Sequence, residues 1–426
     1  MIMVIKNGLI IDKDGKAIKM DIMVQNKSVI EVAPSIDEGG YPVIDAGNCY
    51  VLPGFIDMNC ETCDPGFENI ESLTTVTRSA AKGGFTSITS SPTTNPIADN
   101  KTVVNYIISR SAKLSLVNVY VYGSMTKECA DKSMAEIGEM VSAGIVAVSD
   151  GGKCVCDTAL MRNIMRYCTM FDIPLITACD DESLSAGGVI NAGKVASAYG
   201  LNGIPREAEE IMVARNIILC ENTGCKLHIS SVSTKGSVHL IRQAKARGIN
   251  ITCETQPHYF TLSETSVEGY NTLAKVLPPL RTQEDIDAII EGLADGTIDV
   301  ISSGHSPKTP ESKNREFDMA SFGISSLETA FSISYDALVA SGKITMGDLI
   351  NKTSVMPAKI LGLDSKGSIA DGSDADLVIF SADDEYCINP ANFASKAKFS
   401  PYSGKTVKGQ VKYTIVGGEM VYIADI

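Results

Sequence analysis

Short runs of apolar and β-branched residues recur through the middle of the chain, separated by longer stretches with the spacing of helices. The β-rich runs lie at 86–89, 117–122, 145–148, 175–178, 226–229, 250–254 and 299–302. Stretches such as 205–220 and 236–246 lie between them and are long enough to form helices. Strands that alternate with helices over so much of a chain are typical of a (β/α)8 barrel. The sequence therefore predicts an α/β fold with a TIM barrel at 53–361.

The two ends of the chain carry short β-rich runs and tight turns instead. Such runs lie at 20–24 and 28–32 near the beginning and at 375–380 and 412–416 near the end. A few strands from one end alone would form only a marginal sheet, so we expect the two ends to pair with each other. This predicts one small composite β-sandwich domain, built from 1–52 and 362–426.

Charge and composition exclude several classes of protein. The chain has 37 Lys and Arg against 51 Asp and Glu, a net charge of −14. Binding to a nucleic-acid backbone needs clustered cations, so we expect no nucleic-acid partner. No uncharged run approaches the length of a bilayer span, and the sequence starts without a basic leader. We therefore expect a cytoplasmic protein with no membrane contact, whose 12 scattered cysteines are reduced thiols.

Several ordered motifs carry more specific information. They include SPTTNP at 91–96, SDGG at 149–152, HISSVST at 228–234, KVLPPLR at 275–281 and GHSPK at 304–308. The segment DMNCETCDPG at 57–66 stands at the end of the first barrel strand. Over nearly its whole length the chain resembles the dihydroorotases and related cyclic amidohydrolases, which have D-x-H-x-H-x-R-x-P-G at this strand. The resemblance implies a TIM-barrel hydrolase fold from pyrimidine biosynthesis.

The resemblance also implies where a metal site would lie. In the family two zinc ions at the mouth of the barrel generate a hydroxide and polarise the ring carbonyl. The positions that match the family's ligands are Asn59, Glu61, Gly151, Ala178, Ser231 and Gly304. The last of these matches the Asp that serves the family as base, and a one-residue slip would place Asp150 rather than Gly151 at the bridging carboxylate. An amide oxygen is a poor zinc ligand, so we expect no bound metal or other cofactor, and zinc only if the resemblance to active members holds.

The residues that would bind substrate differ in parallel. The resemblance matches the family's carboxylate-binding Arg, two Asn and a His to Cys63, Thr93, Leu277 and Lys308. A leucine cannot replace the hydrogen bonds of an asparagine, and a thiol cannot form a bidentate pair with a carboxylate. Dihydroorotate should therefore bind poorly.

Three functions stay open at this point. The first is a catalytically inactive dihydroorotase-like protein that acts as a structural or regulatory partner, for example of aspartate transcarbamoylase, and forms a homo-oligomer. The second is a metal- or thiol-dependent hydrolase of altered chemistry, which would use Glu61, Cys63, Asp150, Cys154 and Cys156 around the mouth, beside Cys179 and Asp180. The third is a cyclic amidohydrolase with unusual ligands that still acts on cyclic amide C–N bonds.

Overall fold

The computed structural model describes residues 2–12 and 15–424. Its central sheet has eight parallel strands that neighbour one another in chain order. Barrel strands 1 to 8 are Phe55–Asp57, Phe85–Ser90, Asn118–Gly123, Ala147–Val148, Leu175–Thr177, Leu227–Ile229, Ile251–Thr255 and Val300–Ile301. Strand 2 is buried along its whole length, as expected for a parallel sheet covered on both faces. The prediction of an α/β fold with parallel barrel strands is confirmed.

The first and last barrel strands meet just beyond their carboxyl ends. An isolated parallel bridge joins Cys60 to His305. The backbone N–H of Glu61 donates to the carbonyl of His305 at 2.9 Å, and that of His305 donates to the carbonyl of Asn59 at 3.2 Å. These bonds bring the residues that follow strands 1 and 8 side by side.

Helices follow the barrel strands and cover the sheet. The α-helices are Leu73–Lys82, Lys101–Leu114, Ile137–Ala143, Thr158–Thr169, Glu182–Ser185, Lys194–Tyr199, Glu207–Thr223, Lys235–Ala246, Pro257–Thr261, Gln283–Ala294, Pro310–Lys313, Ala330–Ser334, Met346–Ile350 and Met356–Leu361. Shorter 3-10 turns are Lys127–Cys129, Glu264–Val267, Thr272–Ala274 and Pro390–Asn392, and π-helical turns are Tyr335–Val339 and Asn351–Val355. Polar caps begin many of them: Asn100, for example, accepts hydrogen bonds from the backbone of Thr102 and Val103. No helix in the described part of the chain is both long and apolar enough to cross a membrane.

Strands from both chain ends share a second sheet of eight strands. They are Ile2–Ile11, Ala17–Gln25, Ser28–Ala33, Val43–Asp45, Tyr50–Pro53, Leu377–Cys387, Thr406–Val416 and Glu419–Ile423. The two ends pair directly, since Leu52 lies opposite Val378 in an antiparallel ladder. A small separate pair, Ile190–Asn191 with Gly203–Ile204, lies in the excursion after barrel strand 5.

Aromatic side chains pack the terminal sheet against the barrel. Phe55 of barrel strand 1 stacks on Phe331 with 3.8 Å between ring centroids, and Phe331 meets Phe380 edge to face at 4.9 Å. All three rings are buried. Burial of such large side chains is a major source of stability. Residues of the terminal sheet, among them Phe380, therefore share the barrel core, while others form a separate cluster.

Candidate functional site

A cavity of about 230 Å³ opens at the carboxyl ends of the barrel strands, where active sites of TIM barrels lie. We call it the mouth cavity. All six positions that the resemblance assigns to metal ligands line it: Asn59, Glu61, Gly151, Ala178, Ser231 and Gly304. Of the four positions assigned to substrate, Leu277 and Lys308 line it, while Cys63 and Thr93 do not.

A hydrogen-bond network crosses the floor of the mouth cavity. The amide nitrogen of Asn59 donates to Glu254 Oε1 at 2.7 Å and to Ser231 Oγ at 3.1 Å. Gln256 Nε2 donates to Ser231 Oγ and to Ser302 Oγ, each at 3.1 Å. These residues follow or belong to barrel strands 1, 6, 7 and 8, so the network ties four strand ends together. Buried polar groups that are hydrogen-bonded in this way avoid the cost of desolvation.

Two buried histidines complete this part of the site. His228 Nε2 lies 3.6 Å from Glu254 Oε2, and its Nδ1 is 2.8 Å from Thr252 Oγ1. His258 lines the cavity, and burial lowers its pKa to about 3. That imidazole is therefore neutral at physiological pH.

An ion pair occupies the cavity wall beside strand 1. Lys308 Nζ lies 2.9 Å from Glu61 Oε2, with 22% and 39% of the two side chains exposed. Glu61 is the one carboxylate among the six ligand positions. The ammonium group of Lys308 neutralises its charge. The ion pair joins a position that the resemblance assigns to a metal ligand to one that it assigns to substrate binding.

Two glycines stand where the family has carboxylates. Gly151 and Gly304 have φ angles of +66° and +63°, a region that other residues rarely adopt. A Cβ atom at 151 would lie 2.8 Å from Thr93 Cγ2, and one at 304 would lie 2.6 Å from Gln256 Cγ. Neither position can take a carboxylate unless its neighbours move.

Asp150 does not take the place of Gly151. It is buried and accepts hydrogen bonds from Ser124 Oγ at 2.8 Å and from the backbone N–H groups of Met125 and Thr126 at 2.6 and 3.1 Å. Burial raises the pKa of its carboxyl group and these hydrogen bonds oppose the rise. The carboxylate thus holds the loop after barrel strand 3.

The cysteines of the altered-chemistry hypothesis are not gathered in the cavity. Cys63, Cys154 and Cys156 lie outside the cavity wall. Burial raises the pKa of the Cys63 thiol to about 12, which disfavours a reactive thiolate. Cys179 does line the cavity, but it is buried and its sulfur accepts a hydrogen bond from Asn216 at 3.4 Å.

Comparison with known proteins places these observations in a family. A family model described as Dihydro-orotase-like matches residues 49–237, and one described as Amidohydrolase family matches 327–422. The dihydroorotase of Thermoanaerobacter sp. (strain X514) is 47% identical over 425 residues, which cover 100% of this chain and 98% of that protein. This chain belongs to the dihydroorotase family. The dihydroorotase of Acetivibrio thermocellus is 45% identical and covers 98% of each chain.

Solved structures extend the likeness beyond the dihydroorotases. L-hydantoinase (dihydropyrimidinase) from Arthrobacter aurescens superposes with a TM-score of 0.89 at 25% identity, over 99% of this chain and 97% of that one. Dihydropyrimidinase from Brevibacillus agri gives a TM-score of 0.86 at 23% identity and shares the fold. The amidohydrolase architecture inferred from the sequence motifs is confirmed.

The zinc ions implied by the family do not fit the residues present at these positions in this dihydroorotase-family chain. Zinc in proteins is bound by thiolates, imidazoles and carboxylates, whereas four of the six positions hold Gly151, Ala178, Ser231 and Gly304. The fifth, Asn59, donates both amide hydrogens to neighbours. Within 2–12 and 15–424, no three His, Cys, Asp or Glu side chains are placed to hold a metal ion. Asn59 and Ser231 belong instead to the hydrogen-bonded floor of the cavity.

Sequence reasoning missed the two residues at the centre of this floor, Glu254 and Gln256. A signal was present, because Thr252, Glu254 and Gln256 alternate along barrel strand 7 and its extension. Alternate residues of a strand point to the same side. Three polar side chains on one face of an otherwise buried strand indicate a shared polar partner in the barrel.

Proposed function

We propose that this member of the dihydroorotase family does not catalyse zinc-dependent opening or closure of a cyclic ureide. Its role would instead be that of a structural or regulatory protein of pyrimidine biosynthesis. The observation that carries the proposal is the contact between Asn59 and Ser231, two metal-ligand positions that bond to each other. A family member that used these positions for zinc would need imidazole nitrogens there.

The chemistry lost with the metals is large. A bound zinc supplies the nucleophile and polarises the carbonyl under attack. His258, which is neutral, lies beside Gly304, and Glu61 of the cavity lining is paired with Lys308. Without a metal hydroxide, neither can generate a nucleophile able to open an unactivated amide at a useful rate.

We further propose that the chain forms a homo-oligomer and binds a partner enzyme, with aspartate transcarbamoylase as the first candidate. The choice of aspartate transcarbamoylase rests on the family resemblance alone. The barrel core and the terminal sheet are fully packed while the ligand positions have changed. A protein kept for its surface would show this pattern, because partner binding needs the fold and not the metals.

A second candidate function is a working dihydroorotase with unusual ligands. It is favoured by the relatives, since the Thermoanaerobacter protein that is 47% identical to this chain is named dihydroorotase. Under this alternative the mouth network would have to rearrange to admit a metal.

Two measurements on protein purified without a chelator distinguish these two functions. Metal content by mass spectrometry and the rate of dihydroorotate ring opening are measured beside the Thermoanaerobacter relative. We expect less than about 0.1 zinc per chain and no rate above background. Stoichiometric zinc together with turnover would establish the second candidate.

Co-purification from the native host, followed by a mass measurement, tests the proposed partner. A lone monomer would contradict that part of the proposal.

A further inference from the structure

The charged side chains that line the mouth cavity do not balance. Glu61 pairs with Lys308 at 2.9 Å, and Glu209 lies 3.7 Å from Arg281. The fifth charged residue of the wall is Asp180. Within residues 2–12 and 15–424, no Lys, Arg or His nitrogen lies within 4.0 Å of its carboxylate. The cavity therefore carries one unmatched negative charge.

The carboxylate of Asp180 has hydrogen-bond acceptor sites that are not used. It accepts one side-chain hydrogen bond, from Ser185 Oγ to Oδ2 at 2.8 Å, whereas an ionised carboxylate has about four acceptor sites. A cation entering the cavity would occupy acceptor sites that the described residues leave open.

The cations of the cavity are not free to bind an anionic ligand. Arg281 donates to Ser233 Oγ, to Asn191 Oδ1 and to the carbonyl of Ile204 at 2.9 to 3.1 Å. Lys308 is held by Glu61. An organic acid would have to displace one of these bonds and would meet the charge of Asp180.

Part of the cavity lining is apolar. It is formed by Tyr259, Val276, Leu277, Pro278, Phe322 and Ile324. Leu277 is 44% exposed, so the wall opens to solvent. An apolar cavity of roughly 150 Å³ can hold a benzene ring, and this cavity has about 230 Å³. The lining thus combines apolar surface that suits a ring or short chain with the carboxyl-bearing residue Asp180.

We propose that the mouth cavity binds a small protonated amine with one apolar ring or chain, with Asp180 as its counter-ion. This inference rests on the proposed function, because a binuclear zinc centre would fill the same space with positive charge. The ligand class is opposite in charge to a dihydroorotate anion. The amine would donate to Asp180 while its apolar part contacts Leu277 and Phe322.

Three probes of the same ring size test the charge preference by calorimetry at about pH 8: benzylamine, benzyl alcohol and benzoate. We expect benzylamine to bind at least about 10-fold more tightly than benzyl alcohol, because hydrogen bonds to a charged partner exceed neutral ones by that amount. Benzoate should bind most weakly. Equal binding of amine and alcohol, tighter binding of benzoate, or no binding of any probe would overturn the proposal.

Asp180→Asn should lower the affinity for benzylamine about 10-fold and leave that for benzyl alcohol unchanged. The matched control is Glu182→Gln, an exposed residue two positions away that removes the same charge outside the cavity; it should leave both affinities unchanged. Unfolding curves establish that both variants fold. An Asp180→Asn protein that folds and keeps full amine affinity would refute the role of Asp180. These binding assays contain no ureide and no metal. Their outcome is therefore independent of the ring-opening assay, which tests the proposed function.

Discussion

The amide nitrogen of Asn59 lies 3.1 Å from the hydroxyl oxygen of Ser231 and donates a hydrogen bond to it. Both residues stand at positions that the family resemblance assigns to metal ligands, one after barrel strand 1 and the other after barrel strand 6. In a binuclear site such residues are linked through the metal. Here they are linked directly, and Glu254 and Gln256 extend the link. The strand ends are thus held together by bonds that need no ion.

Asn59→Ala should destabilise the protein by about 1–3 kcal/mol, because Glu254 Oε1 loses its 2.7 Å donor in a buried site and keeps only the longer bond of 3.3 Å from Gln256 Nε2. Urea unfolding measures the change. Asn105→Ala is the matched control, since Asn105 is exposed within the helix Lys101–Leu114 and should be replaceable at little cost. Equal stability of the two variants would mean that the floor network contributes little.

Asn59→His combined with Glu61→His should not restore ring opening. Two imidazoles cannot hold zinc firmly without the ligands that are absent at Ala178 and Gly304, and Lys308 would lose its carboxylate partner. Metal analysis and the ring-opening assay check this together. Turnover from the double variant alone would show that other residues complete a metal site.

The sequence predicts the architecture well and the interior of the site less well. Barrel strands 2 and 7 were expected at 86–89 and 250–254 and are found at Phe85–Ser90 and Ile251–Thr255, because buried strands leave a clear apolar run. The altered-chemistry cluster was expected from sequence position, but Asp150 turns to the backbone of Met125 and Thr126. That orientation follows from the loop conformation, which no periodicity encodes.

Gly304→Asp, the change that would restore the family's base, should cost more stability than an aspartate at an open glycine. Its Cβ would lie 2.6 Å from Gln256 Cγ at a φ of +63°, and strain at such positions costs roughly 1–3 kcal/mol before any clash. Gly296→Asp is the matched control, because Gly296 has a φ of +81° with nothing within 4 Å of a Cβ. Gln256→Ala alone removes the bonds to Ser231 and Ser302. The cost of Gly304→Asp should therefore be measured again in a Gln256→Ala background, where it should be smaller by the part due to the contact with Gln256 Cγ. If the two aspartate variants are equally stable, the space above Gly304 is freer than the structure indicates.

Lys313 should make stability rise with pH above neutrality. Its ammonium is buried and donates to the carbonyls of Ser321 and Gly323, each at 2.9 Å. Burial lowers its pKa from 10.5 to about 7, with the charges of Lys275 and Lys308 adding to the effect. Between these two pH values the unfolded chain binds a proton that the folded chain does not, so the free energy of unfolding should increase by up to about 1.4 kcal/mol per pH unit.

Unfolding by urea at pH values from about 6 to 10 measures this rise. Below pH 7 both states hold the proton, and the cost of the buried charge is fully present. Lys313→Met should reduce the rise, most clearly between about pH 7 and 8, since burial also lowers the pKa of Lys275 to about 8 and that lysine adds to the rise at higher pH. The loss of three carbonyl partners, those of Lys275, Ser321 and Gly323, should lower stability overall. The control Lys343→Met changes an exposed lysine and should keep the rise intact. A Lys313→Met protein whose stability rises between pH 7 and 8 as steeply as that of the wild type would show that Lys313 stays protonated among these carbonyl groups.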